Sequence, residues 1–163
     1  MSKEITFRKA NINDLKAIQK LNQLLVNEEQ ALYDSALDLN WTFGKEGTKI
    51  FTNHLTQTDK CAFLAETGKN IIGYITGSVH AKYPYSYRKI GALGEINTMY
   101  ILNDYRSQHI GTELIKLFFH WCKEKNVQKI KVEATAQNNE AISFYKKNGF
   151  KEYTIWLETN LTK

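Results

Sequence analysis

The chain has 163 residues, of which 42% are hydrophobic and 24% charged, and it carries a formal net charge of +5. Those values describe one ordinary globular domain with a sizeable core, spanning 1–163, and they exclude a disordered or low-complexity chain. The longest uninterrupted apolar run, Cys61 to Ala65, is far too short to cross a bilayer, so no membrane association is expected.

The amino terminus runs from Met1-Ser2-Lys3-Glu4 straight into a strand-like Ile5-Thr6-Phe7, without the apolar stretch of a secretory signal, and cytoplasm is the expected compartment. Cys61 and Cys122 show neither CxxC nor Cys/His ligand spacing, which predicts two buried reduced thiols rather than a disulfide framework or a zinc site. His54, His80, His109 and His120 likewise lack metal-binding spacing, and no metal is expected. Residues 1–81 balance nine Lys/Arg against nine Asp/Glu, whereas residues 82–163 hold thirteen against eight. The whole excess of positive charge therefore sits in the second half, which suits a polyanionic partner there, a nucleotide cofactor or a nucleic acid, or serves solubility alone.

In chain order, Ile5 to Lys9 alternates as a strand, and Asn11 or Asn13 can cap a helix whose apolar face is Leu15, Ile18, Leu21, Leu24 and Leu25. Residues 28–43 read as a second short helix and a loop, and Glu46 to Leu55 as a third helix. Cys61 to Glu66 and Ile71 to Ala81 are strands joined by Thr67-Gly68-Lys69-Asn70, a hairpin sequence. The only proline lies in Tyr83-Pro84-Tyr85-Ser86-Tyr87, ahead of a strand at Leu93 to Leu102. An amphipathic helix follows from about His109 to Lys125, with Ile110, Leu114, Leu117, Phe118 and Trp121 on one stripe. Gln128 to Thr135 reads as a strand, Asn139 to Asn148 as a helix and Phe150 to Leu161 as a last strand. The order β, helices, β, β, β, α, β, α, β calls for an α/β domain with a mixed sheet covered by helices.

The junction between the Leu93 to Leu102 strand and the long helix is where an anion site is easiest to build. The first N–H groups of a helix have no intrahelical partner, and the helix dipole favours negative charge there. Gly111 allows close backbone approach, Arg106 adds positive charge, and Ser107 and Gln108 can donate hydrogen bonds. The sequence is neither GxGxxG nor a P-loop.

Tyr105-Arg106-Ser107-Gln108-His109-Ile110-Gly111-Thr112 resembles the acetyl-CoA signature of the GNAT (GCN5-related N-acetyltransferase) family, Arg/Gln-x-x-Gly-x-Gly/Ala, with His109 in place of the first glycine. Asn138 to Phe150 is similar to that family's Asn-x-x-Ala-x-x-x-Tyr-x-x-x-Gly-Phe segment. The resemblance implies a mixed, mainly antiparallel sheet of six to seven strands flanked by about four to five helices. It implies acetyl-CoA as co-substrate, held at Arg106, Ser107, Gln108, His109, Ile110, Gly111 and Thr112, with Tyr100, Ile101 and Asn138 on the pantetheine arm and the thioester. Tyr145 matches the tyrosine that protonates the leaving thiolate, and Glu95 the strand glutamate that acts as base in the histone-acetylating branch. The resemblance also makes a homodimer an expectation.

Asn138 and Tyr145 are two helical turns apart and share a face. Acyl transfer to an amine expels a thiolate, and a phenol can supply the proton. For the acceptor, Glu28, Glu29, Tyr33, Asp34, Trp41, Tyr83 and Tyr85 are the candidates, since acid plus aromatic side chains suit a cationic amine on a small molecule or a protein. The acids can equally be a solvated helix face. The expected activity is therefore direct transfer of acetyl to a primary amine in a ternary complex. The alternatives are an acyl-CoA-binding sensor or assembly module without turnover, which should release no thiol, and a nucleic-acid binder, which is not expected because no basic recognition helix or glycine-aromatic RNA motif is present.

Overall fold

The computed structural model describes residues 4–82 and 88–161. Strand β1 (Ile5–Lys9) leads through a 3₁₀ turn (Ile12–Asp14) into helix α1 (Leu15–Leu32), and α2 follows at Lys45–Thr56. Strands β2 (Lys60–Thr67), β3 (Asn70–His80) and β4 (Leu93–Ile101) come next, then a 3₁₀ turn (Asn103–Tyr105), α3 (Ile110–Glu124), β5 (Lys129–Val132) and α4 (Asn139–Lys147). The sheet order is β1-β2-β3-β4-β5, with β1 to β4 antiparallel and only β4 and β5 parallel.

Local chemistry explains the boundaries. Asn11 and Asp14 form a capping box: the Asn13 N–H donates to Asn11 Oδ1 (2.9 Å), and the Asn11 N–H donates to Asp14 Oδ2 (2.8 Å). Arg8 donates to both Asp14 oxygens at 2.8 Å, tying this helix start to β1. Helix α1 runs on to Leu32, absorbing the first part of the stretch expected to be a separate short helix, and residues 33–44 are turns. The β2–β3 hairpin closes on Gly68 and Lys69, with Gly68 in the left-handed region at φ 61°.

Alternation along the strands splits the core in two. Phe63, Ile75 and Ile96 face α3, where Leu114 and Phe118 are fully buried. Leu64, Tyr74 and Tyr100 face the other way, toward Ile18 and Leu21 of α1 and Phe51 of α2. A buried polar trio crosses this second layer: Thr42 Oγ1 donates to Asn22 Oδ1 (2.8 Å), and Asn22 Nδ2 donates to the Tyr74 hydroxyl (2.9 Å). Gln19 donates to the Thr42 carbonyl (2.9 Å), so the 33–44 segment is fastened to α1 by satisfied buried hydrogen bonds. Cys61 and Cys122 are buried free thiols, as expected, and burial pushes the Cys122 thiol up to about 12.

One expectation fails. The described residues form five strands rather than six to seven, because the segment after Phe150 joins no ladder. Its residues alternate as a strand should, but a strand exists only against a partner edge, and 151–161 lie exposed along the surface. No helix among the described residues is long and apolar enough to cross a membrane.

Candidate active site

The site originates in an interrupted ladder. Strand β4 pairs with β3 along its whole length, but with β5 only from Leu93↔Lys129 to Ile96↔Val132. A bulge then inserts Asn97, since Thr76 opposes Thr98 while Gly77 opposes Ile96. Beyond it the parallel strands separate, leaving the far backbone edge of 97–101 without a strand partner among the described residues. The gap is a cleft of about 970 Å³. It is bounded by β4, by the turn entering α3, by α4 and by the last turns of α1.

The turn entering α3 is built for an anion. Ser107 (φ 60°) and His109 (φ 63°) both take left-handed backbone, and the helix begins at Ile110 with no side chain capping it. The N–H groups of 110–112 have no preceding carbonyl turn to bond, and the dipole of a fifteen-residue helix converges on them. The missing motif glycine thus leaves the turn's shape intact, because His109 adopts the conformation a glycine would favour. Gly111 has a packing reason as well: a Cβ there would lie 2.8 Å from Phe144 Cζ of α4 and 3.1 Å from Ile101 Cδ1.

On α4, Asn138 Oδ1 accepts the Ala141 N–H (3.0 Å) and caps the helix, which leaves its amide nitrogen available to the cleft. Tyr145 packs edge-on against Phe144 and Phe150 and also lines the cleft. Burial, with a smaller contribution from the Glu29 charge, pushes its phenol up to about 12, so the hydroxyl stays protonated at neutral pH. Across the cleft, burial and the charges of Glu28 and Asp34 raise the Glu29 carboxyl above its ordinary value. A protonated phenol can donate a proton and a desolvated carboxylate can accept one, and acyl transfer to an amine uses both capacities.

The Acetyltransferase (GNAT) family profile matches residues 23–150. The chain belongs to the GNAT acetyltransferase family. It is 27% identical over 157 residues to an N-alpha-acetyltransferase of Sulfurisphaera tokodaii, spanning 94% of this chain and 84% of that one. It is similar to the crystal structure of a predicted acetyltransferase with acetyl-CoA from Clostridium acetobutylicum, with TM-score 0.76, 26% identity and 97% of each chain covered. It also shares its fold with an aminoglycoside N-acetyltransferase solved in complex with CoA, with TM-score 0.75 and 13% identity over 100% of this chain and 98% of that one. The protein is an acetyl-CoA-dependent N-acetyltransferase of the GNAT type, with acetyl-CoA as co-substrate.

Most of the residues expected from the sequence line this GNAT cleft: Tyr100 and Ile101 of β4, Arg106, Ser107 and 109–112 of the turn, Asn138 and Tyr145 of α4, and Glu28, Glu29, Tyr33 and Asp34 at the end of α1. Gln108 instead donates to the Asp104 carbonyl (3.1 Å) on the exposed outside of the turn. Trp41 packs edge-on to Phe51 at 6.1 Å, beside Val26 and Leu37 and away from the cleft. Glu95 pairs with Lys131 (2.8 Å) and His80 (2.9 Å) and is not among the cleft-lining residues. Tyr83 and Tyr85 lie outside the described residues.

Two relationships escaped sequence reasoning. Arg106 is not a free anion ligand: its Nε donates to the Ile101 carbonyl (3.1 Å) and its two terminal nitrogens to the Glu28 oxygens (3.0 and 2.9 Å). Trp156 and Glu158 also line the cleft, a placement hidden by the expectation that they belong to a sheet strand.

Proposed function

We propose that the protein acetylates the α-amino group of a peptide or protein chain, by direct transfer from acetyl-CoA within a ternary complex. The observation that supports a single-amine acceptor is the state of the four acids at 28–38. Glu28 is neutralised by Arg106, Asp34 Oδ1 accepts the Ala36 N–H (3.0 Å), and Asp38 Oδ1 accepts the Asn40 N–H (2.8 Å). The Glu29 carboxylate alone of the four has neither a hydrogen bond nor an ion pair among the described residues, and Glu29 lines the cleft. Of the acids at the end of α1, one carboxylate is thus left to meet an incoming ammonium, which supports a single amine as acceptor. An α-amine, with a reference pKa of about 8 against about 10.4 for lysine, also needs less help to lose its proton. The Sulfurisphaera relative's name points the same way.

In this reading Glu29 holds the incoming ammonium and takes its proton, directly or through water. The amine attacks the thioester carbonyl, whose oxygen is polarised by backbone N–H groups on the open edge of β4 near Tyr100 and Ile101. The tetrahedral intermediate then collapses, the C–S bond breaks, Tyr145 gives its proton to the departing CoA sulfur, and the second proton shed by the attacking nitrogen as the amide forms restores the phenol. Asn138 and the 106–112 turn hold the cofactor. The acting species is proposed to be a homodimer, for which the exposed apolar residues after Phe150 are the support.

The test is thiol release from acetyl-CoA with peptides bearing a free amino terminus, amino-blocked lysine peptides, polyamines and aminoglycosides. Free-terminus peptides should give the highest kcat/KM, and a clear preference for either polycation class would overturn the acceptor assignment. Glu29→Gln should abolish the acidic limb of the kcat profile, whereas Glu95→Gln should leave it in place. The reverse result would reassign the base to Glu95.

A further inference from the structure

Asn97 sits where β4 breaks the alternation of a strand. Ile96 and Met99 both pack toward α3, while Tyr100 packs toward α1 and α2. Strict alternation cannot put residues three apart on one face, so the bulge supplies one extra residue, and Asn97 is that residue. The insertion turns its side chain toward α2, where the amide lies 3.0 Å from Nε2 of His54, and Asn97 still lines the cleft. One end of the amide therefore meets His54. The other end has no hydrogen bond among the described residues.

The histidine determines which end is which. His54 is 6% exposed, in the last turn of α2, and its Nδ1 lies 2.9 Å from the Ile50 carbonyl oxygen. A carbonyl only accepts, so Nδ1 carries a proton and donates it. The end of a helix favours a charged ring, but this ring is buried without a carboxylate partner among the described residues, which opposes charge more strongly. A neutral ring protonated at Nδ1 has only a lone pair at Nε2. It can bond an NH₂ group and not an oxygen. The two ends of an amide have nearly the same shape, so the proton on the ring is what distinguishes them.

We infer that His54 is a positioning residue for acetyl transfer: it accepts a hydrogen bond from the Asn97 amide nitrogen and so holds the Asn97 oxygen toward the cleft, where that oxygen accepts an N–H of the incoming amine. This role rests on acetylation of an amine in the cleft and not on which amine it is. An ammonium brings several donors, of which the Glu29 carboxylate proposed above takes one. The Asn97 oxygen offers another a neutral acceptor, on the side of the sheet that faces α1. An amide turned the other way would meet the ammonium with its own N–H groups and repel it.

Long-range nitrogen–proton correlation spectra of the full chain at neutral pH should show His54 protonated at Nδ1 alone. A proton on Nε2 would set the amide oxygen against the ring and overturn the assignment. Kinetics with the best amine of the panel above test the consequence. His54→Phe frees the amide to turn, so the acceptor KM should rise several-fold while acetyl-CoA affinity in calorimetry holds. A carboxylate presents oxygen at both ends and needs no orienting. Adding His54→Phe to an Asn97→Asp chain should therefore change the acceptor KM by less than about twofold. Equal losses in the two backgrounds would reduce His54 to a support for the bulge, and an unchanged acceptor KM in His54→Phe would remove Asn97 from acceptor binding.

Discussion

The guanidinium of Arg106, on the turn entering α3, grips both carboxylate oxygens of Glu28, in the last turns of α1, at 3.0 and 2.9 Å. The pair ties two walls of the cleft together and offsets the charge that each would present. Glu28 is held below the usual carboxylate range by this contact, and Tyr100 lies beside it, 5.2 Å below the Arg106 guanidinium.

Removing the negative partner should therefore have two opposite effects. Glu28→Gln lowers stability at neutral pH by about 0.5–1 kcal/mol, the magnitude for a partly exposed pair. Because the folded-state pKa of Glu28 is depressed, its contribution is fully present above the unfolded value of about 4.3 and is lost as pH falls through the folded one. Urea titrations of wild type and variant should thus differ at pH 7 and converge in acid. In the same variant the freed guanidinium can turn to the pyrophosphate, and calorimetry should show acetyl-CoA binding several-fold tighter. Unchanged affinity would mean that Arg106 does not face the phosphates.

His109 holds a left-handed backbone without the freedom of glycine, a strain of roughly 1–2 kcal/mol for an L-residue. His109→Gly should relieve much of it, less the added entropy of the unfolded chain. A net gain of about 0.5–1 kcal/mol in urea unfolding is expected, with acetyl-CoA affinity preserved. A destabilised variant would show that the imidazole has a packing or binding role that outweighs the strain.

Tyr145→Phe removes one oxygen and leaves the ring packed edge-on against Phe144 and Phe150. The variant should fold and bind acetyl-CoA like the wild type while kcat falls roughly 10²- to 10⁴-fold, the usual worth of a general acid. The deficit should shrink with an acyl donor whose thiol leaves more easily. Full kcat in the variant would reduce the phenol to a packing group.

Gly111→Ala tests the packing reason for that glycine. The added methyl meets the Phe144 ring at 2.8 Å, so α4 must shift against α3. Overpacking of this kind costs about 1–3 kcal/mol. Since α4 also carries Asn138 and Tyr145, stability, acetyl-CoA affinity and kcat should fall together. Loss of affinity with full stability would instead assign Gly111 purely to the cofactor.

What the sequence disclosed was mostly local. The Thr67 to Asn70 hairpin, the stripe on α3 and the Asn138 cap are each set by a few neighbouring residues, and each stands within a residue or two of its expected place. The position of the turn at 106–112 was legible for the same reason, as strand end and helix start adjoin in sequence. The Arg106 pair with Glu28 spans 78 positions, and no spacing rule connects them. Trp41 was misplaced because an aromatic beside acids reads as a binding wall until Phe51 is seen against it. The segment after Phe150 has the alternation of a strand, and alternation records a preference for a sheet face without naming the sheet.

The separation of β4 from β5 makes room for a ligand without hollowing the protein. Elsewhere a binding chamber is excavated from the interior, and every cubic ångström of it is packing forgone. Here the opening is obtained by ending a hydrogen-bond ladder after Ile96↔Val132, and the layers of side chains on either face of the sheet remain filled. Affinity for the ligand and cohesion of the core can therefore be altered independently, except where a lining residue also sits between packed helices, as Gly111 does. Substitutions that widen or narrow the mouth need not soften the fold, and one scaffold can exchange acceptors over evolutionary time while its melting temperature stays nearly constant.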